Sequence, residues 1–213
     1  MSTLLLNLPI LLLAAAASIN VIAQPAELAS FMNGERSFYS SSNNLKSKGL
    51  DVSFEYPRMW GESDDAETKL PNTLYLVRSN GGRGTELCSL AITFIPNAAK
   101  VSEQEGAEQF SRLSLRDLVA GGTHYVDGAR TTIDGKPAAW VQVEVEISAR
   151  KLRGMMLSHF IYIDRRLITF SCSVVPISSR PEADTHKLYR MYSPLFVQIA
   201  KSVAINNKNM RRP

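Results

Sequence analysis

Two apolar runs in the second half of the chain place the strongest constraint on its fold. They cover residues 155–163 and 167–175, and only Asp164, Arg165 and Arg166 separate them. A strand with one wet face alternates apolar and polar side chains, whereas a strand that is apolar throughout must be covered on both sides. The two runs therefore predict central strands of a sheet with further structure packed against each face.

Alternating patterns predict additional strands that have one face in water. Residues 139–147 give the clearest pattern, because their odd-numbered positions are apolar and their even-numbered positions include Gln142, Glu144 and Glu146. We expect the odd-numbered face of this strand to lie inward. The other predicted strands are 50–56, 74–77, 87–95, 123–126 and 130–133.

Two dipeptides have the composition of two-residue type I′ hairpin turns, in which both central residues need positive φ angles. Asp127-Gly128 predicts a hairpin between residues 123–126 and 130–133. Asp134-Gly135 predicts a second hairpin, which leads into the long strand 139–147.

Helix signals lie in the middle and at the end of the chain. Ser102 and Glu105 have the spacing of a capping box, which predicts a helix from about 103 to 119. A second helix is predicted from Pro181 to about Tyr192. Ser193-Pro194 then has the pattern of an N-cap and first helical residue, so we expect a further, separate helix after it. A short helix is also predicted at residues 25–32.

The N-terminus is typical of an export signal. Residues 1–23 contain no charged side chain, and the longest uninterrupted apolar stretch, 10–17, suits the hydrophobic region of a signal peptide but is too short to span a bilayer. Small residues at Val21 and Ala23 predict cleavage after Ala23. An uncleaved anchor and a buried N-terminus are the alternatives. We therefore expect a periplasmic or secreted protein without stable membrane insertion after signal removal.

Charge excludes one class of partner. The net charge of +4 includes Lys208, Arg211 and Arg212, and without them 21 basic residues face 20 acidic ones. A nearly neutral body is a poor electrostatic match for a phosphate backbone, so we predict no nucleic-acid binding. The chain divides into a signal peptide (1–23), a polar lead-in (24–48), a folded domain (49–205) and a basic disordered tail (206–213).

Metal-binding and nucleophile motifs are missing from the sequence. Its three histidines form no H-E-x-x-H motif and no pair at i, i+4. His159 is interpreted as a core residue of a central strand, and His124 and His186 as residues of a loop or a helix surface. Ser158 and His159 with a distant Asp would form a triad, but a structural role is favoured for them. We predict no metal, no cofactor and no catalytic residue.

Two weaker patterns are also interpreted as structural. The stretch 81–84, Gly-Gly-Arg-Gly, is the one candidate for a phosphate cradle, but a strand rather than a helix follows it. The acidic residues Glu62, Asp64, Asp65 and Glu67 lack the alternating spacing of a calcium loop. We expect a hairpin loop and a solvated loop, respectively.

The two cysteines leave two states open. Cys88 and Cys172 each share a strand face with apolar residues. In an oxidising compartment they are a natural disulfide pair. If their strands are separated, they are instead buried free thiols, and this second state is favoured because strand order does not follow from the sequence.

The order of these elements resembles the PsbP/Mog1-like superfamily over residues 49–205. The most specific pieces are Ser53-Phe54-Glu55-Tyr56-Pro57 and Asp134-Gly135-Lys136-Pro137-Ala138. The resemblance implies an α+β fold in which an antiparallel sheet is sandwiched between helices. Members are mainly binding or assembly proteins, among them photosystem II subunits, Ran-binding factors, DcrB-type envelope proteins and chaperones of type VI secretion effectors.

From the resemblance and the export signal we predict a non-enzymatic binding or assembly factor of the cell envelope, with another protein as its partner. A cryptic hydrolase or small-ligand-binding protein is the alternative, because fold alone does not fix function. Neither the partner's identity nor the oligomeric state follows from the sequence.

We predict that the mature protein begins near Gln24 and is exported, because the N-terminal segment matches a cleavable signal. N-terminal sequencing of protein from fractionated cells checks this. An intact Met1 on protein from the cytosol would contradict both the cleavage and the export.

Overall fold

The computed structural model describes residues 24–47, 49–63, 70–95, 102–119, 121, 123–147 and 152–206. The predicted signal peptide therefore lies outside the described residues. The helices are α1 (Ala26–Met32), the single turn α2 (Ser79–Gly82), α3 (Glu103–Arg112) and α4 (Glu182–Lys201). The strands are β1 (Arg36–Ser40), β2 (Asp51–Pro57), β3 (Gly61–Glu62), β4 (Thr73–Arg78), β5 (Glu86–Phe94), β6 (Thr123–Ile133), β7 (Lys136–Ile147), β8 (Leu152–Ile163), β9 (Arg166–Val174) and β10 (Ala204–Asn206).

Seven strands form one antiparallel sheet in the order β3-β4-β5-β9-β8-β7-β6. The strands predicted to be central, β8 and β9, lie inside it. Ile161 of β8 is buried in the cluster that contains α4, while Tyr162, on the other face of the same strand, packs against Phe110 of α3. The predicted α+β class, an antiparallel sheet between helices, is confirmed.

A second, three-stranded sheet of β1, β2 and β10 packs beside α4. It includes part of the segment 24–48, which the sequence suggested was a polar lead-in. Leu28 and Phe31 of α1 are buried, and Tyr39 of β1 stacks on Tyr75 of β4 with ring centroids 4.1 Å apart. Asn206, placed in the tail from the sequence, pairs with Asp51 of β2. α1, β1 and Asn206 therefore belong to the folded unit, and residues 207–213 lie outside the described residues.

The first predicted hairpin turn is wrong, and the second is confirmed. Residues 123–133 form one strand, β6, with a register shift between Tyr125 and Asp127. Gly128 instead allows β6 and β7 to lie close together, because a Cβ at this position would be only 2.7 Å from the carbonyl oxygen of Trp140. Asp134 and Gly135 have φ angles of 49° and 69°, as a type I′ turn requires.

The predicted break at Ser193-Pro194 is also wrong, because α4 runs through it. Proline has no N–H with which to bond the carbonyl of Arg190, four residues earlier. The Ser193 hydroxyl donates to that carbonyl at 3.2 Å and so satisfies it. Apolar contacts continue past the proline, since Leu195, Phe196 and Ile199 are fully buried against the sheet.

The predicted capping box at the start of α3 is present. The Ser102 hydroxyl accepts from the N–H of Glu105, and the Glu105 carboxylate accepts from the N–H of Ser102. The helix ends at Arg112 rather than near 119, and the 3-10 turn Leu115–Leu118 follows it.

The preference for free thiols is overturned, because Cys88 and Cys172 form a disulfide. β5 and β9 are neighbours in the sheet, and their register places the two cysteines directly opposite each other. Both are buried in the main core. The order of the strands, which the sequence does not reveal, decided this outcome.

Replacing both cysteines with alanine should destabilise the protein by roughly 4 to 5 kcal/mol, because the disulfide closes a long loop in the unfolded chain. The melting temperature should fall by about 10 °C or more. Mass spectrometry after alkylation of the denatured, unreduced protein checks the bond itself, and two labelled cysteines would contradict the pairing.

Candidate functional site

A cleft lies between α4 and the β6–β7 side of the large sheet, because the sheet is wider than the helix that packs on it. Seven strands span about 29 Å at 4.8 Å spacing, whereas a helix is only about 10 Å wide. The small sheet covers the β4–β9 side of this face, where Phe54 of β2 contacts Phe170 of β9 with ring centroids 5.0 Å apart. The opposite side keeps an open cleft of about 600 Å³.

The cleft has largely apolar walls. Trp140 of β7 and Leu157 of β8 contribute from the sheet, and Tyr189 and Val197 contribute from α4. Val197 is 38% exposed, although it is apolar. Together these side chains offer a surface that gains free energy when an apolar group covers it.

Polar side chains lie at defined places in the same cleft. Gln142 of β7, His159 of β8 and Lys201 of α4 all line it. Asp134 also lines it, and its Oδ2 accepts a hydrogen bond of 2.9 Å from the N–H of Ile205. That bond ties the β6–β7 turn to β10 and so fixes one end of the cleft.

His159 is the most unusual of the cleft residues. It lies directly across from Trp140 in the β7–β8 register, and burial lowers the pKa of its imidazole to about 4. Its Nδ1 is buried, and the described residues provide no hydrogen-bond partner for it. The neutral ring therefore has a donor or acceptor position that the described residues leave unused.

Ser158 and His159 do not form a nucleophile–base pair. Adjacent residues of a strand point to opposite faces of the sheet. Accordingly, the Ser158 hydroxyl is buried against the Ser171 hydroxyl at 2.8 Å, while His159 faces α4. The structural role favoured for Ser158 fits this geometry.

The glycine-rich turn at residues 81–84 is not shaped to hold a phosphate. The N–H groups of Gly81, Arg83 and Gly84 already donate to backbone carbonyls of the protein. The carboxylate of Glu86 lies close by and accepts from the hydroxyls of Ser79 and Thr85. Internal hydrogen bonds and a nearby negative charge both disfavour an anion.

The remaining residues considered from the sequence lie outside the cleft. Glu62 lies in β3, while Asp64, Asp65 and Glu67 lie outside the described residues. His124 is exposed on the edge strand β6, and His186 lies on α4 near Glu144 of β7.

Sequence reasoning missed the cleft itself. Trp140 and Gln142 belong to the even-numbered face of β7, which was interpreted as solvated because the strand pattern does not show that α4 lies beside it. Within the described part of the chain, no helix is both long and apolar enough to cross a bilayer.

No family model and no curated protein matches the sequence. Among solved structures, the chain is similar to cyanobacterial PsbP (CyanoP) from Synechocystis sp. PCC 6803, with a TM-score of 0.46, 17% identity, and coverage of 81% of this chain and 93% of that chain. It is also similar to LpqN, involved in cell envelope biogenesis of Mycobacterium tuberculosis, with a TM-score of 0.45, 11% identity, and coverage of 82% and 94%. Both are similarities of fold alone, at low sequence identity.

The low pKa of His159 predicts a pH dependence of stability. The unfolded chain takes up this proton below about pH 6.5, whereas the folded protein does so only near pH 4. Stability should therefore fall by up to roughly 3 kcal/mol as pH decreases from 6.5 to 4. His159→Gln should reduce this loss, measured as the urea midpoint across that range in buffer with EDTA.

The matched control is His124→Gln, because His124 is exposed. This variant should keep the pH dependence of the unmodified protein. If His159→Gln and the unmodified protein lost stability equally, His159 would not be held neutral by burial.

Proposed function

We propose that this protein is an exported, non-enzymatic binding factor of the cell envelope that receives a segment of another protein in the cleft beside α4. The observation that carries the proposal is the cleft itself. Val197 is exposed and Trp140 partly exposed in it, and the Nδ1 of His159, another lining residue, has no hydrogen-bond partner among the described residues.

Two independent features support export to the envelope or beyond. The N-terminal segment has the composition of a signal peptide. The Cys88–Cys172 disulfide fits a protein that folds in an oxidising compartment, since such bonds are rare in the cytosol. A periplasmic or secreted location is therefore part of the proposal.

The length of the cleft favours an extended peptide as its occupant. Its lining residues on α4 run from Tyr189 to Lys201, which corresponds to about 18 Å along the helix axis. An extended segment of five or six residues has about this length. Apolar side chains of the segment would contact Trp140 and Val197, and its backbone would offer a polar group to His159.

A small ligand is the second candidate, and the cleft volume favours it. Small-molecule sites usually measure about 300 to 1,000 Å³, and this cleft of about 600 Å³ falls within that range. The same polar side chains would then orient the ligand.

A photo-crosslinking amino acid at Val197 should capture a specific protein in envelope extract, because this position lies in the cleft and is exposed. The same amino acid at Leu45, which is 96% exposed and lies outside the cleft, should not capture it. Mass spectrometry of the adduct should map the crosslink to an extended segment of the captured protein.

Variants that block the cleft distinguish specific binding there from nonspecific crosslinking. Thr131→Trp fills the cleft from β6 and should abolish the adduct, whereas Thr93→Trp, on an exposed position of β5, should leave it. A different result would favour the small-ligand function: no adduct forms, and a metabolite raises the melting temperature of the unmodified protein but not that of Thr131→Trp. An adduct that survives Thr131→Trp would contradict binding in the cleft.

A further inference from the structure

Three potential metal ligands meet where the N-terminal end of α4 lies over β7. Glu182 and His186 are four residues apart on α4 and so lie on one side of the helix. Glu144 projects from β7, and the ligand atoms of these three side chains all lie within 4.8 Å of one another. We refer to Glu144, Glu182 and His186 as the carboxylate–histidine site.

The nitrogen of His186 has an unusual environment. Its Nε2 is buried and makes no hydrogen bond within the part of the chain that the structure describes. The nearest carboxylate oxygen, Oε1 of Glu144, is 3.5 Å away, beyond the usual N–H···O range of about 2.7–3.2 Å. Burying a nitrogen without a partner costs free energy, so a bound group that engages it would be favourable.

The same separation suits two ligands of one metal ion. Ligands about 2.05 Å from a tetrahedral ion lie about 3.4 Å from each other. Glu144 and His186 are only 19% and 26% exposed, so these two ligands are already held in place by their surroundings. Glu182 is exposed at the first residue of the helix and can adjust to complete the set.

His124 provides an independent indication. In the β6–β7 register it lies directly opposite Glu144, and residues paired in this way share one face of the sheet. Its exposed imidazole is therefore on the face of the sheet that carries Glu144, one strand away.

We propose that the carboxylate–histidine site binds one divalent transition-metal ion of the zinc class, with His124 available as a fourth ligand. A mixed set of imidazole and carboxylate ligands suits Zn²⁺, whereas Ca²⁺ and Mg²⁺ prefer sites made of oxygen ligands alone. The ion would tie the first turns of α4 to β7. The site does not include the residues that line the cleft, so this proposal is independent of the proposed function.

The test uses the purified protein with its affinity tag removed, titrated with ZnCl₂ by isothermal calorimetry. We expect one ion per chain and, at a zinc concentration 100 times Kd, a rise in melting temperature of about 5 to 10 °C. Glu144→Gln and His186→Gln should each weaken zinc binding by about tenfold or more. Replacing a residue that only hydrogen-bonds to a metal ligand already has an effect of that size, and these variants change the proposed ligands themselves. Glu146→Gln, on the same face of β7, is the matched control and should bind as the unmodified protein does.

A measurement on the unmodified protein covers the case in which a variant fails to fold. Zn²⁺ should shift the imidazole ¹⁵N resonances of His186 in the NMR spectrum, whereas Ca²⁺ should not. Absence of zinc binding, binding that Glu144→Gln and His186→Gln leave unchanged, or zinc that leaves the His186 resonances unchanged would each overturn the proposal.

Discussion

The packing of α4 against β8 and β9 is the interaction on which the rest of the structure depends. Leu195, Phe196 and Ile199 are fully buried there, and each such side chain stabilises the fold by roughly 1.5–3 kcal/mol. This packing requires α4 to continue through Pro194, where the Ser193 hydroxyl donates to the carbonyl of Arg190 that the proline leaves without its helical partner. One uninterrupted helix then lies over the middle of the sheet. The small sheet covers one side of that face, so the uncovered side, along β6 and β7, becomes the place where ligands have access.

β7 shows how the fold turns a simple pattern into candidate sites. Its odd-numbered residues, including Ala139 and Val141, are buried as the alternation predicts. Its even-numbered residues were expected to face water, but α4 lies beside them and converts an open surface into a concave one. Trp140 and Gln142 therefore line the cleft, while Glu144, further along the same face, meets His186.

Sequence signals predicted the structure correctly where it is determined by residues only a few positions apart in the chain. The capping box at Ser102 and the turn at Asp134-Gly135 each satisfy backbone groups or φ angles within a few residues, and both were predictable. Asp127-Gly128 and Ser193-Pro194 carry equally typical local signals, but pairing with β7 and burial of α4 outweigh them. The Cys88–Cys172 bond depended on strand order, which the alternation of side chains does not encode. The cleft and the carboxylate–histidine site depend on where α4 lies over the sheet, so no spacing along the chain could reveal them.

The disulfide also limits the chemistry that is open to the two candidate sites. Because both cysteines are joined inside the core, no thiolate is available as a metal ligand or nucleophile, and the chain must use imidazole and carboxylate groups. The core holds Leu90, Phe170 and the disulfide on the α4 face of the central strands, far along the sheet order from β6. Glu144, Glu182 and His186 add little apolar burial to that core, and the buried Nε2 of His186 has no hydrogen-bond partner among the described residues. A buried nitrogen without a partner is a cost to the folded protein unless a bound group engages it, which is a physical reason to regard these residues as a binding site rather than as part of the structural framework.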